Sequence, residues 1–487
     1  MQPVLVGFIV YLVIVLCAGF YTVRLTRDLK DFALGGQRLG PWVIAFSERA
    51  SGESAWLIIG LPGAALVAGL LELWTVVGCV GGIIFSWYVI AHRLRIATAK
   101  TNALTLPELL ATRYQDERGF LRLIASLIIT FFFTFYVAAQ FSGAGKVLNV
   151  TFGLTEMQGM LLGVVIIVFY TLMGGFYAVA WTDLIQGIIM IGTLVILPLV
   201  GWLELSGSET SAPIMDWSTL WGGQTGWAAA AGAIGGLSWG LGYMGQPHLV
   251  TRYMAINKPE NVAVSRRIAI AWAVPAFLGS MFIGLVGLQL LQQGVLSLNG
   301  SSLNSISALP DPEKLMPIMT TYLMNPWVAG IFISGAIAAM MSTADSQLLV
   351  STSVLTEDIF KRFFHRVIGG MQLLTLSRLL TLVIGFVAFL LAWTSRDLVF
   401  ETVSYAWGGL GASFGPVLLL TLWWRKTSRV GVMAGMIAGT FFTVIPVFSH
   451  TITPRFTAFL LAFVAVILGS FLRPDTSNMM EEMTEAD

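Results

Sequence analysis

Long apolar stretches recur along the whole chain, and each is separated from the next by a shorter polar stretch. Each stretch has about 20 residues, which is enough for an α-helix to cross a bilayer. We predict thirteen membrane spans, near residues 3–23, 41–70, 72–93, 122–148, 156–176, 182–205, 227–251, 266–292, 325–355, 376–394, 398–423, 429–448 and 456–472. The pattern therefore predicts an all-α polytopic membrane protein with a single transmembrane domain over residues 1–487.

The composition agrees with this prediction and excludes several functions. The chain is 56% apolar and 11% charged, whereas a soluble domain has about 25% charged residues. Its net charge of +1 argues against a nucleic-acid partner. The sequence lacks a GKS or GKT phosphate loop, and its histidines do not form a metal-ligand motif. We therefore expect neither an ATP-driven pump nor an enzyme, no organic cofactor, and no obligate protein partner besides the lipid bilayer.

The positions of lysine and arginine predict the orientation of the chain. Of 27 such residues, 22 lie in the loops on one side or in the tail, at 24–40, 93–122, 252–267, 356–378, 425–429 and after the last span. Basic loops stay on the cytoplasmic side of a membrane. We expect a multi-pass protein of the plasma membrane, in a bacterium the inner membrane, with its N-terminus outside and its C-terminus in the cytoplasm.

Two predicted spans contain residues that interrupt a helix. Span 41–70 contains "SERASGESAW" and then Gly60, Pro62 and Gly63, and span 227–251 contains "GGLSWGLGYMGQPH". Backbone at membrane depth departs from a helix only where protein or a water-filled cavity supplies hydrogen-bond partners. The alternative is that these glycines only allow neighbouring helices to approach closely.

The two interrupted spans occupy corresponding positions in the chain. Each is the first of five spans, so the pattern predicts inverted repeats over about 41–205 and 227–423, with three peripheral helices at about 3–23, 429–448 and 456–472. Interrupted helices at matching positions in two repeats indicate the binding site of a secondary transporter.

A third polar cluster lies in span 325–355. Ser342 and Thr343 are adjacent hydroxyl residues, and Asp345 follows two residues later. A hard cation such as Na+ prefers oxygen ligands, which an interrupted helix supplies as carbonyls and a neighbouring helix supplies as hydroxyls. Alternatively, both hydroxyls bond to carbonyls of their own helix.

Together these stretches resemble the sodium:solute symporter family, and most closely its sodium/proline symporters. The resemblance covers nearly the whole chain and is carried by "DFALGGQRLGPW", "SAWLIIGLPGA", "NALTLPELLATRY", "GGFYAVAWTD", "WGLGYMGQPH", "AAMMSTADSQLLVSTS" and "VSYAWGGLGASFGPVLL". It implies a leucine-transporter-type fold of two inverted five-helix repeats. It also implies import of L-proline, or a similar small amino acid, driven by a Na+ gradient through alternating access. The alternative is a symporter of a different small organic solute, coupled to H+ or Na+.

The resemblance also implies site residues. The Na+ ligands would be the carbonyls of Ala50, Glu53 and Ala339 and the hydroxyls of Ser342 and Thr343. Contacts to the solute would come from Ser54, Tyr136, Trp239, Tyr243 and Pro247. Asp183 matches an aspartate associated with sodium coupling, although a Thr-Asp pair at the start of a span also suits a helix N-cap.

The chain departs from the family pattern in "SERASGESAW". Sodium/proline symporters typically have aspartate at the position of Gly52 and methionine at that of Glu53, and small neutral residues in place of Glu48 and Arg49. Intramembrane charges usually pair. Arg49 has two local partners, the adjacent Glu48 and Glu53 one helical turn away. We expect the pair with Glu53, which would leave Glu48 less satisfied; the alternative is a pair with Asp345. Such a pair would hold the helix in shape, tune the solute pocket, or allow proton coupling.

Overall fold

Helices form most of the computed structural model, which describes residues 2–23, 34–173, 175–206, 214–298, 300–309, 311–362, 370–395, 397–446 and 453–474. The first half of the chain contains α1 (Gln2–Val23), α2 (Pro41–Ala55), α3 (Leu61–Ala68), α4 (Leu73–Phe85), α5 (Ala91–Thr101), α6 (Leu106–Arg113), α7 (Phe120–Phe152), α8 (Glu156–Met173) and α9 (Phe176–Ser206).

The second half contains the remaining helices and a short antiparallel hairpin. The helices are α10 (Gly226–Leu237), α11 (Trp239–Gly242), α12 (Pro247–Ala255), α13 (Val262–Gln292), α14 (Leu315–Leu323), α15 (Pro326–Ser353), α16 (Gly370–Thr394), α17 (Val399–Trp423), α18 (Arg429–Val444) and α19 (Pro454–Leu472). The hairpin pairs β1 (Ser297–Leu298) with β2 (Ser301–Ser302).

The observed helices confirm the prediction of an all-α membrane protein. Within the described residues, eight helical segments are long and apolar enough to cross a membrane, and one of them, Pro41–Thr101, covers two predicted spans. Shorter apolar helices cover three more, at Pro3–Gly19, Glu156–Leu172 and Arg429–Val444. The number thirteen stays a prediction, because span 227–251 is divided into three short helices. Segments 24–33 and 363–369, which contain some of the basic residues behind the predicted orientation, lie outside the described residues.

Helix α15 is enclosed by other helices over most of its length. It packs against α1, α2, α7 and α9, and every residue from Phe332 to Ser353 is buried. Its polar side chains therefore need partners within the protein. The last two helices, α18 and α19, pack on each other and on α17. On α19, the exposed residues Leu460, Val464 and Leu468 are four apart, which places an apolar stripe where lipid would lie.

Both predicted interruptions are present in the structure. Helix α2 contains a non-helical residue near its end and continues as a π-helical turn and then α3. The second interruption separates α10, α11 and α12. Its glycines also permit close approach, because a Cβ at Gly242 would lie 1.9 Å from the indole nitrogen of Trp407. The glycines of this segment therefore interrupt the helix and also allow close packing.

Candidate ion and solute site

The first interrupted helix breaks at Ser54. This residue has φ 32° and ψ −169°, a conformation that is costly for a residue other than glycine. The amide N–H of Ala55 donates to the side-chain oxygen of Gln140 at 2.9 Å, and the hydroxyl of Tyr136 donates to Ser54 Oγ at 3.5 Å. Two residues of α7 therefore stabilise the break, as non-helical backbone at membrane depth requires.

A group of oxygen atoms lies directly before the break, between α2 and α15. Ser342 Oγ donates to the carbonyl oxygens of Ala50, at 2.9 Å, and Ala339, at 3.1 Å. Thr343 Oγ1 donates to the carbonyl oxygen of Ser51 at 2.9 Å. The structure thus brings together Ser342, Ala50 and Ala339, three of the five predicted Na+ ligands, and Thr343 contacts the residue next to Ala50.

The hydroxyl of Ser342 and the carbonyl of Glu53 differ from the expectations stated for them. The hydroxyl of Ser342 bonds both to its own helix and to α2, so back-bonding describes only half of its contacts. The carbonyl of Glu53 accepts the N–H of Trp56 within the helix. Unlike the carbonyls of Ala50 and Ala339, the Glu53 carbonyl is not contacted by the hydroxyl of Ser342 or Thr343 among the described contacts.

A second polar group lies beside these oxygens and is centred on Asp183. Its Oδ2 accepts hydrogen bonds from Ser47 at 2.6 Å, Ser51 at 3.0 Å and Arg252 at 3.1 Å. Arg252 also donates to Ser51 at 2.7 Å and to Ser346 at 2.6 Å. These side chains come from α2, α9, α12 and α15, and all are buried. The group therefore connects both interrupted helices to α15.

The structure corrects two expectations about this group. Asp183 is not a helix N-cap, because α9 begins at Phe176 and the aspartate lies well inside it. Arg252 was counted with the basic loop residues 252–267, but it is buried in α12 and forms an ion pair with Asp183. Removing Arg252 from that count leaves the predicted orientation unchanged, because the bias toward one side is large.

The charged residues of α2 form a cluster of their own. Arg49 Nε donates to Glu48 Oε2 at 2.6 Å, and its Nη2 donates to the other oxygen of the same carboxylate. Arg49 Nη1 donates to Glu53 Oε1 at 2.5 Å. Glu48 also accepts from the indole of Trp87 at 3.2 Å and the hydroxyl of Tyr253 at 3.1 Å. The structure places Arg49 and Glu53 within ion-pair distance of each other, at the predicted spacing of one helical turn.

Two related expectations are wrong. Glu48 is not the less satisfied acid, because Arg49 is adjacent in the chain and holds it in a bidentate contact. Asp345 does not pair with Arg49, because the guanidinium is occupied by the two glutamates. Asp345 instead accepts a hydrogen bond from Ser346 at 3.2 Å, next to the group around Asp183.

Aromatic side chains surround the other side of the break. The rings of Trp56 and Trp239 stack with centroids 4.6 Å apart, and Tyr243 packs edge-on against Trp407, also at 4.6 Å. The indole of Trp407 donates to the carbonyl of Trp239 at 2.9 Å. The predicted solute contacts Trp239 and Tyr243 thus share Trp407 as a neighbour. Pro247 begins α12 and lines a small cavity away from this stack.

Several residues of the site were missed by sequence reasoning. They are Ser47, Ser51, Arg252 and Ser346 in the group around Asp183, Gln140 at the break, and Trp56 and Trp407 in the aromatic stack. The two serines of α2 lie within the stretch already singled out, and an arginine four residues after "QPH" was a further signal. Nothing local to Gln140 or Trp407 distinguishes them from packing residues.

Comparison with solved structures identifies the fold. A Na+-coupled sialic acid symporter in a substrate-bound, outward-open state aligns with a TM-score of 0.77 at 18% identity, covering 98% of this chain and 99% of that chain. The transporter MhsT in complex with L-phenylalanine aligns with a TM-score of 0.51 at 14% identity, covering 88% and 97%. The chain has the leucine-transporter-type fold, as predicted.

Sequence comparison identifies the family. The profile of the sodium:solute symporter family matches residues 32–439. The high-affinity proline transporter PutP of Bacillus subtilis (strain 168) is 37% identical over 466 residues, covering 93% of this chain and 95% of the relative. The sodium/proline symporter of Escherichia coli (strain K12) is 35% identical over 445 residues, covering 91% and 87%. This chain belongs to the sodium:solute symporter family.

Proposed function

We propose that this chain is a secondary active symporter that imports L-proline, or a similar small amino acid, with the Na+ gradient as driving force. The observation that carries the proposal is the contact of Ser342 Oγ with the carbonyls of Ala50 and Ala339, directly before the break at Ser54. The names of the relatives above, a proline transporter and a sodium/proline symporter, support the same solute and ion.

The proposed ion site uses oxygen atoms from two helices. Ser342 and Thr343 would supply hydroxyls from α15, and Ala50, Glu53 and Ala339 would supply carbonyls. Both hydroxyls already contact α2 carbonyls, so a cation entering here would replace these hydrogen bonds, with the hydroxyl hydrogens turned away and the oxygens slightly further apart. Asp183 would act in coupling from the neighbouring polar group. Because the site joins α2 to α15, ion binding would stabilise one arrangement of these helices.

The proposed solute site lies on the aromatic side of the break. Ser54 and Tyr136 contact each other, and Trp239 and Tyr243 border the same indole, that of Trp407. A prolyl ring is small and apolar, and an aromatic wall suits it. Pro247 would contribute as the first residue of α12, because the N-terminal end of a helix dipole favours an anion such as a carboxylate.

The proposal includes an arrangement in the membrane. Inverted repeats over about 41–205 and 227–423 would move relative to each other, with the peripheral helices outside them. The N-terminus would face outward and the C-terminus the cytoplasm of a plasma membrane, as the basic loops indicate.

A second candidate is a symporter coupled to H+, or one for a different small solute. The observation that favours it is the buried carboxylate of Glu53, beside Gly52 where the related proline symporters typically have aspartate. An intramembrane carboxylate is a common element of proton relays.

The test is uptake of radiolabelled proline into proteoliposomes, with Na+ and H+ gradients imposed separately. We expect accumulation with an inward Na+ gradient and none with an H+ gradient alone. Acid-driven, Na+-independent accumulation would favour the second candidate, and absence of proline uptake under both gradients would reject proline as the solute.

A further inference from the structure

The charged cluster on α2 contains more negative than positive charge. Its members are two glutamates and one arginine, Glu48, Arg49 and Glu53, and all three side chains are buried. In the part of the chain that the structure describes, Arg49 is the cation within ion-pair distance of either carboxylate. With every group ionised the cluster has a formal charge of −1, two negative charges against one positive. A buried charge without a counter-ion is strongly unfavourable.

The excess charge is located on Glu53. Arg49 makes two hydrogen bonds to Glu48 and one to Glu53. Glu48 also accepts from Trp87 and Tyr253, so four bonds reach its carboxylate. An ionised carboxylate accepts about four hydrogen bonds, and Glu48 is therefore saturated.

The carboxylate of Glu53 has fewer hydrogen-bond donors than that of Glu48. Its Oε1 accepts from Arg49 at 2.5 Å and from the Tyr243 hydroxyl at 3.2 Å, whereas its Oε2 accepts from that same hydroxyl alone, at 3.0 Å, among the described groups. One phenol thus serves both oxygens. Among the described side chains, the Oε2 atom of Glu53 therefore has a neutral donor and lacks a cationic one.

The Glu53 carboxylate points to the solute side of α2. Its second donor, Tyr243, packs on Trp407, which also bonds to Trp239. The guanidinium of Arg49 lies 5.5 Å from the centroid of the Tyr243 ring. The oxygen group around Ser342, in contrast, faces α15 through backbone carbonyls of α2. The side-chain carboxylate of Glu53 therefore adjoins the aromatic wall, whereas the hydroxyl of Ser342 lies against the backbone of α2.

We propose that the carboxylate of Glu53 binds the ammonium group of the transported solute and restricts the site to solutes that carry one. Glu48 and Arg49 are positioning residues, since the saturated Glu48 holds the guanidinium that orients Glu53. The solute ammonium neutralises the excess charge of the cluster. This inference rests on the proposed function and names the group by which the same site selects its solute.

The test compares solutes that differ only in the ammonium group. L-proline and tetrahydrofuran-2-carboxylate share a five-membered ring and a carboxylate, and the second has oxygen in place of the ring nitrogen. Binding of both, by competition and by the shift in melting temperature, is measured in the purified parent protein and in Glu53→Gln. The matched control is Glu117→Gln, the same substitution at an exposed position in a loop.

We expect the parent and Glu117→Gln to prefer proline. Glu53→Gln is expected to weaken proline binding about 10- to 150-fold, the range for a hydrogen bond to a charged group, with tetrahydrofuran-2-carboxylate affected less than about 2-fold. Equal weakening of both solutes would make Glu53 merely structural and overturn the inference. The inference would also be overturned if Glu53→Gln changed the Na+ dependence but not the solute preference. The same holds if the parent showed acid-stimulated uptake and Glu53→Gln abolished it.

The outcome is separable from the proposed function. If the parent does not bind proline, the function fails, and the same comparison is made with alanine and lactate and with glycine and glycolate. If the parent prefers the amine over its oxygen analogue and Glu53→Gln loses this preference, the inference is supported whichever solute is bound. If Glu53→Gln does not fold, Glu53→Asp retains the charge, and weaker binding of proline but not of its oxygen analogue is then required.

Discussion

The hydroxyl of Ser342 lies 2.9 Å from the carbonyl oxygen of Ala50, although the two residues are 292 positions apart in the sequence. The contact joins the buried helix α15 to the interrupted helix α2, four residues before the break at Ser54. A relative movement of these helices would separate the two oxygens. A cation bound between them would therefore favour the arrangement in which they are close.

This contact leads to a prediction about Na+ dependence. Ser342→Ala and Thr343→Ala are each expected to raise the Na+ concentration for half-maximal uptake by about 5- to 150-fold, because an unmatched buried polar group costs about 1–3 kcal/mol. Ser334→Ala is the control, since Ser334 lies on the same helix and bonds to Gly330 of that helix. Unchanged Na+ dependence in a folded Ser342 and Thr343 double mutant would remove these residues from the ion site.

A second prediction concerns the aromatic wall. Trp239→Ala removes the ring that stacks on Trp56, and we expect it to weaken proline binding by at least about fivefold, because aromatic truncation at a binding site often costs more than 1 kcal/mol. The half-saturating Na+ concentration should change much less. Trp393→Ala is the control, since that side chain is 59% exposed on α16. Equal effects on solute and ion would contradict a separate solute site.

Local pattern was sufficient to predict the helices and their breaks. Apolar runs located the spans, and the glycines and serines around Ser54 and Gly242 marked the two interruptions, because these signals lie within one segment. The Arg49–Glu53 pair was predictable for the same reason, since its partners are four residues apart on one helix.

Contacts between distant segments were not predictable in this way. Asp183 and Arg252 are 69 residues apart, and the arginine falls at the end of an apolar segment, where it looked like a loop charge. Asp345 was considered as a partner for Arg49 because both are intramembrane charges. The choice depends on which faces of α2 and α15 meet, and a single sequence does not contain that information.

A third prediction concerns this buried ion pair. Arg252→Gln leaves the carboxylate of Asp183 without its cation, and breaking one side of a buried pair costs about 3–5 kcal/mol. We expect a large fall in melting temperature in detergent, partly restored by adding Asp183→Asn. Lys361→Gln is the comparison, because its pair with Glu357 is 52% exposed on the lysine side and such pairs contribute about 0–1 kcal/mol. Similar melting temperatures for the Arg252 and Lys361 variants would show that the Asp183 pair does not stabilise the fold.

The last prediction concerns the order of stabilities within the charged cluster of α2. Arg49→Gln leaves two buried carboxylates without a cation, whereas Glu53→Gln leaves the neutral, bidentate pair of Glu48 and Arg49. We therefore expect Arg49→Gln to lose about 3–5 kcal/mol of stability and Glu53→Gln to lose much less, because only the first strands charge. The Arg49→Gln and Glu53→Gln double mutant retains one unpaired carboxylate and should fall between the two single mutants, with the difference from additivity measuring the pair. Melting temperatures of the four proteins in detergent, without solute, check this order. If Glu53→Gln is as unstable as Arg49→Gln, then Glu53 is a structural partner of the arginine and does not carry the excess charge.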